Sequence, residues 1–266
     1  MALAIEFDVT LCRQVMDLTG LGATTDHVTV DRAVSPFVRW ETVRGWSAQP
    51  VSGNAVTFFD YEFPEGTDYK YRVKEFNASG TLTGTTEYAV SATEFNEPWL
   101  KIPAVPVLNR PVVIVDRGDI TNRSRSGVMD VVGRNYPVQI GDVRAGLAYT
   151  LQLLTDTAAE ERDMEYTLST GDVIFLHLPA AVEVLPGGYF SVGDVQRAST
   201  LRRSPRRVWS LPLIAVAAPG SEVIGSAYTI ASVLAEYETV TTMLADNDTI
   251  GDLISRTGTP SEVLVP

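Results

Sequence analysis

Short runs in which hydrophobic and polar residues alternate dominate the first 95 residues. The clearest run starts at Tyr69, where the odd positions are aromatic or apolar as far as Val73 and the even positions are cationic as far as Lys74. This period of two predicts an antiparallel strand with one buried face. Because Gly, Pro, Asn and Asp separate the runs, residues 1–95 are predicted to form a β-sandwich. The other runs lie at 27–30, 36–43, 54–63 and 85–90.

A second β-rich segment is predicted at 96–220. It opens with a stretch at 96–111 whose prolines and asparagines predict a linker. One helix is predicted in this segment, since Thr157 can cap the backbone N–H of Glu160 and Gly171 can end the helix. We therefore expect a second β-sandwich that carries one helix. Hydrophobic runs predict its strands near residues 111, 128, 149, 172, 189 and 208.

The last segment, 221–266, contains a ten-residue repeat that begins with Thr229, Thr239 and Thr249. Short helices, each capped by its threonine, explain this repeat, and one continuous helix over 229–245 is the alternative. Such a tail cannot bury its apolar side chains alone, so we expect it to dock on its own chain or on a neighbour. The interface candidates on this tail are Tyr237, Leu244 and Leu253. The expected fold class is mainly β, with two β-sandwich domains and a short helical C-terminal tail.

The composition is that of a globular protein, with 266 residues of which 45% are hydrophobic and 20% charged. The net charge of -12 argues against nucleic acid or an anionic membrane as the main partner, because both require clustered cations. No apolar stretch has the length of a membrane span, so no membrane insertion is expected. The N-terminus lacks the cationic start of a signal peptide, and the single cysteine, Cys12, is predicted to be buried.

Residue types that carry catalysis are scarce. The two histidines, His27 and His177, each lie in a predicted strand without a Cys, His or carboxylate at metal-ligand spacing, which favours structural roles. Neither a G-x-S-x-G nucleophile elbow nor a glycine-rich phosphate loop occurs. We therefore expect no enzymatic activity, no catalytic or metal-binding residues and no cofactor.

A cluster of arginines at 197–207 is unusual in so acidic a chain. Two interpretations remain open: a solvated loop, and a subunit contact in which the arginines pair with carboxylates of an adjacent copy. Trp46, in a loop flanked by Gly and Ser, is a further candidate for packing or for an interface. The arginines are Arg197, Arg202, Arg203, Arg206 and Arg207.

The segment DYEFPEGTDYKYRVKEFNASG at 60–80 resembles the end of a fibronectin type III domain. In that family a loop of the form Pro-x-Gly-Thr-x-Tyr precedes a strand, and Pro64, Gly66 and Thr67 match the loop here. The resemblance implies that Tyr69 is a corner tyrosine whose hydroxyl bonds to upstream backbone, and that Trp40 is the central aromatic residue of the core.

Motifs spread over nearly the whole chain resemble those of minor tail proteins of long-tailed phages that infect actinobacteria. They are VRG at 43–45, DYE at 60–62, WLK at 99–101, RSG at 125–127, the T-x-x-E helix start at 157–160, GYFSVGDV at 188–195 and WSLP at 209–212. The resemblance implies a structural virion protein at the tail tip, made in the host cytoplasm and related to ring-forming distal tail proteins. It also implies a homo-oligomer, with a hexameric ring favoured over a trimer. Its implied partners are other tail proteins such as the tail tube, the tape measure protein and the tip hub.

A different class of function also remains open. A cell-wall carbohydrate-binding module is the main alternative, since β-sandwiches can hold glycans on exposed aromatic residues, and Trp46 is then the first candidate contact for a host glycan. An accessory domain of a secreted hydrolase is the third interpretation. The lack of an identifiable carboxylate pair in the sequence counts against it.

Overall fold

The structure, a computed structural model, describes residues 1–51, 53–130, 132, 135–141, 143–182, 185–199 and 204–220. Over these residues the protein is mainly β, with antiparallel sheets and one α-helix, as the alternating runs predict. The chain divides into two compact units. Unit 1 holds 1–110 and 177–186 and resumes at Pro219, and unit 2 holds 111–176 and 187–218. The predicted helical tail at 221–266 lies outside the described residues.

Unit 1 consists of two antiparallel sheets and a short additional strand. Its strands are β1 Ala2–Asp8, β2 Arg13–Thr19, β3 His27–Val34, β4 Glu41–Thr42, β5 Gln49–Pro50, β6 Ala55–Asp60, β7 Tyr69–Phe76, β8 Leu82–Val90 and β9 Trp99–Lys101, with β10 Arg110–Pro111 at the boundary between the units. One sheet has the order β1-β2-β6, and the other has the order β4-β3-β7-β8 with β5 also paired to β3.

The two sheets of unit 1 share one hydrophobic core. Met16 and Phe58 from the first sheet belong to the same buried cluster as Val30 from the second. Strand β7 alternates buried and half-buried residues along its whole length, so the predicted inward face of Tyr69, Tyr71 and Val73 is confirmed. Burial of such side chains is the main favourable contribution to folding.

Two strand assignments in unit 1 differ from the sequence pattern. The N-terminal hairpin of β1 and β2 was not predicted, although Gln14, Met16 and Leu18 alternate inward along β2. Conversely, the run at 36–43 forms a strand only at its end, in β4. Phe37 has a φ of 63°, which interrupts the extended backbone that a longer strand requires.

The aromatic residues of unit 1 also differ from the fibronectin-like expectation. Trp40 is not part of the core cluster; its ring lies on the outer face of the sheet, 4.2 Å below the guanidinium of Arg72. Tyr69 is fully buried as expected, but the hydrogen bond found for its hydroxyl among the described residues joins it to the side chain of Thr93 at 3.4 Å, downstream rather than upstream.

The boundary of unit 1 lies further along the chain than the predicted one at 95. The stretch at 96–111, predicted to be a linker, is packed instead: Leu100, Lys101 and Ile102 are almost completely buried, and a short 3-10 turn follows at Pro106–Leu108. A linker with few contacts would leave these side chains in water. The return of 177–186 to unit 1 could not be anticipated from the linear pattern.

Unit 2 has a larger antiparallel sheet, one helix and a separate hairpin. Its sheet contains β16-β17-β19-β15-β11 in that order, with β12 on β15 and β18 on β19. Leu151 and Leu211 of the central strands are completely buried. The strands are β11 Val113–Arg117, β12 Thr121–Asn122, β13 Gly127–Met129, β14 Val138–Ile140, β15 Leu147–Thr155, β16 Ile174–His177, β17 Gly188–Val192, β18 Gln196–Ser199 and β19 Arg207–Ala215; the last residue of β16 belongs to unit 1.

The helix of unit 2, α1 Ala158–Ser169, confirms the predicted capping residues. The Thr157 hydroxyl accepts the backbone N–H of Glu160 at 3.2 Å. The Glu160 carboxylate in turn accepts the backbone N–H of Asp156 at 2.9 Å, so one amide donor of the first turn and one just before the cap are satisfied. Gly171, with φ of 70°, ends the helix by donating to the Leu168 carbonyl.

Thr157→Ala should lower the free energy of unfolding by about 1 kcal/mol, because the N–H of Glu160 loses its acceptor. Chemical denaturation followed by far-ultraviolet circular dichroism measures the change. Thr157→Ser is the matched control, since it keeps the hydroxyl acceptor and should retain most of the stability. Equal loss in both variants would show that the hydroxyl does not act as the cap.

Candidate interface surfaces

The segment 123–144, here called the arm, contains a two-stranded hairpin outside the main sheet of unit 2, formed by its described residues. The chain leaves the sheet after Asn122, which pairs with Leu147, and the Ala145 N–H donates to the Arg123 carbonyl at 3.0 Å, closing the base of the arm. Within the arm, β13 and β14 pair only with each other, from Gly127 opposite Ile140 to Met129 opposite Val138.

Both faces of the arm are exposed although much of it is apolar. Every residue of β13 and β14 is exposed. A two-stranded hairpin in water is marginally stable unless an apolar face packs on something else, and contiguous exposed apolar surface marks an interaction site. The large apolar side chains and their exposed fractions are Val128 64%, Met129 51%, Val132 103%, Tyr136 84%, Val138 37%, Ile140 58% and Val143 78%.

The edge strand β11, near which the arm begins, adds to this apolar surface. Val113 and Val115 of β11 are 59% and 53% exposed. The pairing of β11 with β15 shifts register between Ile114 and Asp116, which leaves Val115 as an extra residue on the edge. Bulges of this kind interrupt the row of free backbone groups on an edge strand, so side chains rather than backbone would make contacts there.

The arm is cationic in an acidic protein. By sequence, residues 123–144 carry four arginines and two aspartates, a net charge of +2, whereas the whole chain carries -12. Arg123, Arg125 and Arg144 are exposed. The ion pairs formed among the described residues do not include any of the three. The arm therefore presents apolar side chains together with positive charge.

The arginines of the predicted interface loop have partners within their own unit. Arg197 lies 3.1 Å from Glu161 on α1, and Arg207 lies 3.2 Å from the same carboxylate. Arg206 lies 2.9 Å from Asp156, just before the helix. These carboxylates come from the same chain, so Arg197, Arg206 and Arg207 have ion-pair partners within unit 2. The subunit contact stays a prediction. Arg202 and Arg203 lie outside the described residues.

Trp46 is a packing residue of unit 1. Its ring is half-buried and lies 5.1 Å from the ring of Phe58, against the core cluster. Its backbone N–H donates to the Val43 carbonyl, and its carbonyl accepts from Val30, which fixes the loop on the sheet. This geometry favours the packing role over an exposed platform for glycans. Tyr237, Leu244 and Leu253, the candidates on the tail, lie outside the described residues.

A buried lysine joins three segments of unit 1. Lys101 is 1% exposed, and its ammonium donates to the carbonyls of Cys12 and Tyr61, each at 2.7 Å. The same nitrogen, Nζ of Lys101, also lies 2.8 Å from Nδ1 of His177, within hydrogen-bond distance. Burial lowers the pKa of Lys101 to about 8, since water no longer stabilises the ammonium. All three N–H bonds of the ammonium thus have acceptors, which indicates a structural rather than a catalytic role.

His177 completes this cluster. It is 4% exposed and lies between the rings of Phe63 and Phe95, with centroid distances of 4.8 and 4.5 Å. Burial and the charge of Lys101 hold the pKa of His177 well below its usual value, so the imidazole stays neutral and Nδ1 can accept a hydrogen bond from the Lys101 ammonium. The structural role predicted for His177 fits this environment, and Cys12 is completely buried as predicted.

A second buried polar cluster links the two sheets of unit 1. Asp60 is 2% exposed and forms an ion pair with Arg32. It also accepts the hydroxyl of Tyr71 at 2.7 Å and the backbone N–H of Glu62 at 2.9 Å. Burial and the neighbouring carboxylate raise the pKa of Tyr71, so the phenol remains a donor. The cluster is largely shielded from water, with Asp60 2% and the Arg32 side chain 14% exposed.

The sequence pattern does not reveal that the arm is exposed. The run near residue 128 was read as an ordinary strand of the second unit, since apolar residues alone do not reveal whether a strand is covered. The composition does differ from that of a buried strand: arginines and glycines interrupt the apolar residues between 123 and 146, unlike in the buried strands β15 and β19. Among the described residues, no cluster of three His, Cys, Asp or Glu side chains could hold a metal ion.

Two further observations complete the description. In the portion of the chain covered by the structure, no helix combines the length and the apolar character needed to cross a membrane. No protein-family model matches the chain, and comparison with curated proteins also yields no match.

Proposed function

We propose that this protein is a structural component that works by self-association, as a minor tail protein at the tail tip of a phage virion. The observation that carries the self-association is the arm, whose apolar side chains are exposed on both faces. In an assembly these side chains would be covered by another copy, and the hairpin would gain the packing that it lacks alone. Obligate interfaces of this kind commonly bury more than about 2,000 Å².

The sheets of unit 1 support the structural part of the proposal. The orders β1-β2-β6 and β4-β3-β7-β8 with one shared core are those expected of a fibronectin type III-like β-sandwich, and we propose that unit 2 is a second sandwich with the arm as an insertion. Such domains serve as rigid building blocks. The proposed partners are sibling copies, in a hexameric ring rather than a trimer, and neighbouring tail proteins such as the tail tube, the tape measure protein and the tip hub.

Val128→Asp combined with Ile140→Asp should shift the protein from an assembly to monomers. The two aspartates place charge on opposite strands of the arm, in the surface that the proposal buries, and an unpaired charge is strongly disfavoured at an interface. Sedimentation velocity over a range of concentrations measures the mass, and negative-stain electron microscopy shows whether the parent protein forms closed rings.

The matched control is Val9→Asp combined with Val38→Asp. These two valines are 71% and 83% exposed in unit 1, so the control adds the same charge to equally exposed apolar positions outside the arm. It should assemble like the parent protein. A parent protein that remains monomeric at all concentrations, or an arm variant that assembles as well as the control, would contradict the proposal.

A further inference from the structure

The C-terminal segment and the arm are opposite in charge and alike in apolar character. Residues 221–266 contain seven acidic residues and one arginine, a net charge of -6, whereas the arm carries +2. The same segment holds the threonine-led repeats with apolar residues at the fifth and sixth positions. A surface that pairs apolar contacts with opposite charges associates faster and more selectively than an apolar surface alone.

The segment departs from a fixed point on unit 1. Arg44 donates to the carbonyl of Gly220 at 2.6 Å and to that of Pro219 at 3.3 Å. The guanidinium is itself held by Glu62, with contacts of 2.8 and 3.3 Å, and both side chains are largely buried. A guanidinium that donates to both oxygens of one carboxylate has a defined orientation. The position of Pro219 and Gly220, from which the C-terminal segment continues, is therefore fixed on unit 1 by Arg44 and Glu62.

The length of the segment allows it to reach another copy. The 46 residues from 221 to 266 span up to about 150 Å if extended and about 70 Å if helical. The arm is the matching surface because it combines exposed apolar side chains with arginines that take part in none of the described ion pairs. Other cations of the described chain are paired within it, among them Arg72 and Lys74 with Asp31, and Arg197 and Arg207 with Glu161.

We propose that the C-terminal segment of one copy docks on the arm of the next copy, covering its apolar side chains and pairing with Arg123 and Arg125. This inference rests on the proposed self-association and names the surface that the arm meets. Because two different surfaces meet, the contact is heterologous, and repeated contacts of this type close into a ring when the rotation between copies permits it.

Charge reversal on each side tests the contact in the full-length protein. Arg123→Glu with Arg125→Glu, and separately Glu236→Lys with Glu238→Lys, should each weaken association about tenfold at low salt. Combining all four changes in one chain should strengthen association relative to either separate variant, because the exchanged side chains are again opposite in charge, although the net charges of the arm and the segment then both become -2. Sedimentation velocity measures the association constants, and far-ultraviolet circular dichroism checks that each variant is folded.

The control is Arg39→Glu, at an arginine of unit 1 whose side chain is 86% exposed; it should associate like the parent. The inference is overturned if the variants at Glu236 and Glu238 associate normally, or if the combined protein stays as weak as the separate variants. In that case the proposed function still stands provided that the aspartates at Val128 and Ile140 abolish assembly. If those aspartates also have no effect, both proposals fail.

Discussion

Asp60→Ala should lower the free energy of unfolding by about 3–5 kcal/mol, since it leaves the charge of Arg32 buried without its carboxylate. The Arg32 side chain is only 14% exposed, so water can replace little of the lost interaction. The Tyr71 hydroxyl, which is completely buried, loses its acceptor as well. Urea denaturation followed by circular dichroism measures the loss.

Two further variants compare the charge of Asp60 with an exposed ion pair elsewhere in unit 1. Asp60→Asn keeps an acceptor for Tyr71 but removes the negative charge, so its loss should be smaller than that of the alanine variant. Glu41→Ala breaks the ion pair of Arg39 with Glu41, whose side chains are 86% and 61% exposed, and should cost less than about 1 kcal/mol. Losses of similar size at Asp60 and Glu41 would mean that burial does not control the strength of these pairs.

Acidification from pH 6.5 to 5 should destabilise unit 1 by up to about 1.6 kcal/mol through His177 alone. In the unfolded chain this histidine takes up a proton near its ordinary pKa of about 6.5. In the folded protein, burial and the charges of Lys101 and Arg32 hold the pKa well below that value, so the proton is not bound. The unfolded state therefore binds more protons near and below pH 6.5, and stability falls as the pH falls, with a slope that approaches about 1.4 kcal/mol per pH unit once the unfolded histidine is fully protonated.

His177→Asn isolates this contribution. The amide oxygen can still accept a hydrogen bond from the Lys101 ammonium, but the side chain does not titrate. The difference in unfolding free energy between parent and variant should therefore shrink as the pH falls. Glu65, whose pKa is raised by burial, titrates in both proteins and cancels in the difference. A difference that is constant between pH 7 and 5 would show that His177 accepts a proton in the folded state.

Local patterns predicted the elements whose determinants lie close together in sequence. The alternation from Tyr69 identified β7 and its inward face, because a strand with one buried face has a period of two. The helix α1 was located by Thr157 and Gly171, whose capping bonds reach only three residues away. Both partners of each of these interactions lie within a few residues of each other, so a short stretch of sequence is enough to predict them.

Long-range contacts could not be predicted in this way. Lys101 meets Cys12 and His177, which are separated from it by 89 and 76 residues, so nothing in the stretch around Lys101 shows that it is packed instead of forming a linker. The pairing of Arg197 with Glu161 likewise depends on the sheet that brings β18 and α1 together. The exposure of the arm is a property of the whole fold, because it depends on what does not cover β13 and β14.

Hydrogen–deuterium exchange as a function of protein concentration tests the central claim most directly, namely that the arm is buried between copies. As the assembled fraction rises, the amides of Gly127–Met129 and Val138–Ile140 should exchange more slowly, while those of the exposed stretch around Val38 should keep a constant rate. Fast exchange throughout the arm in a fully assembled sample would contradict this account.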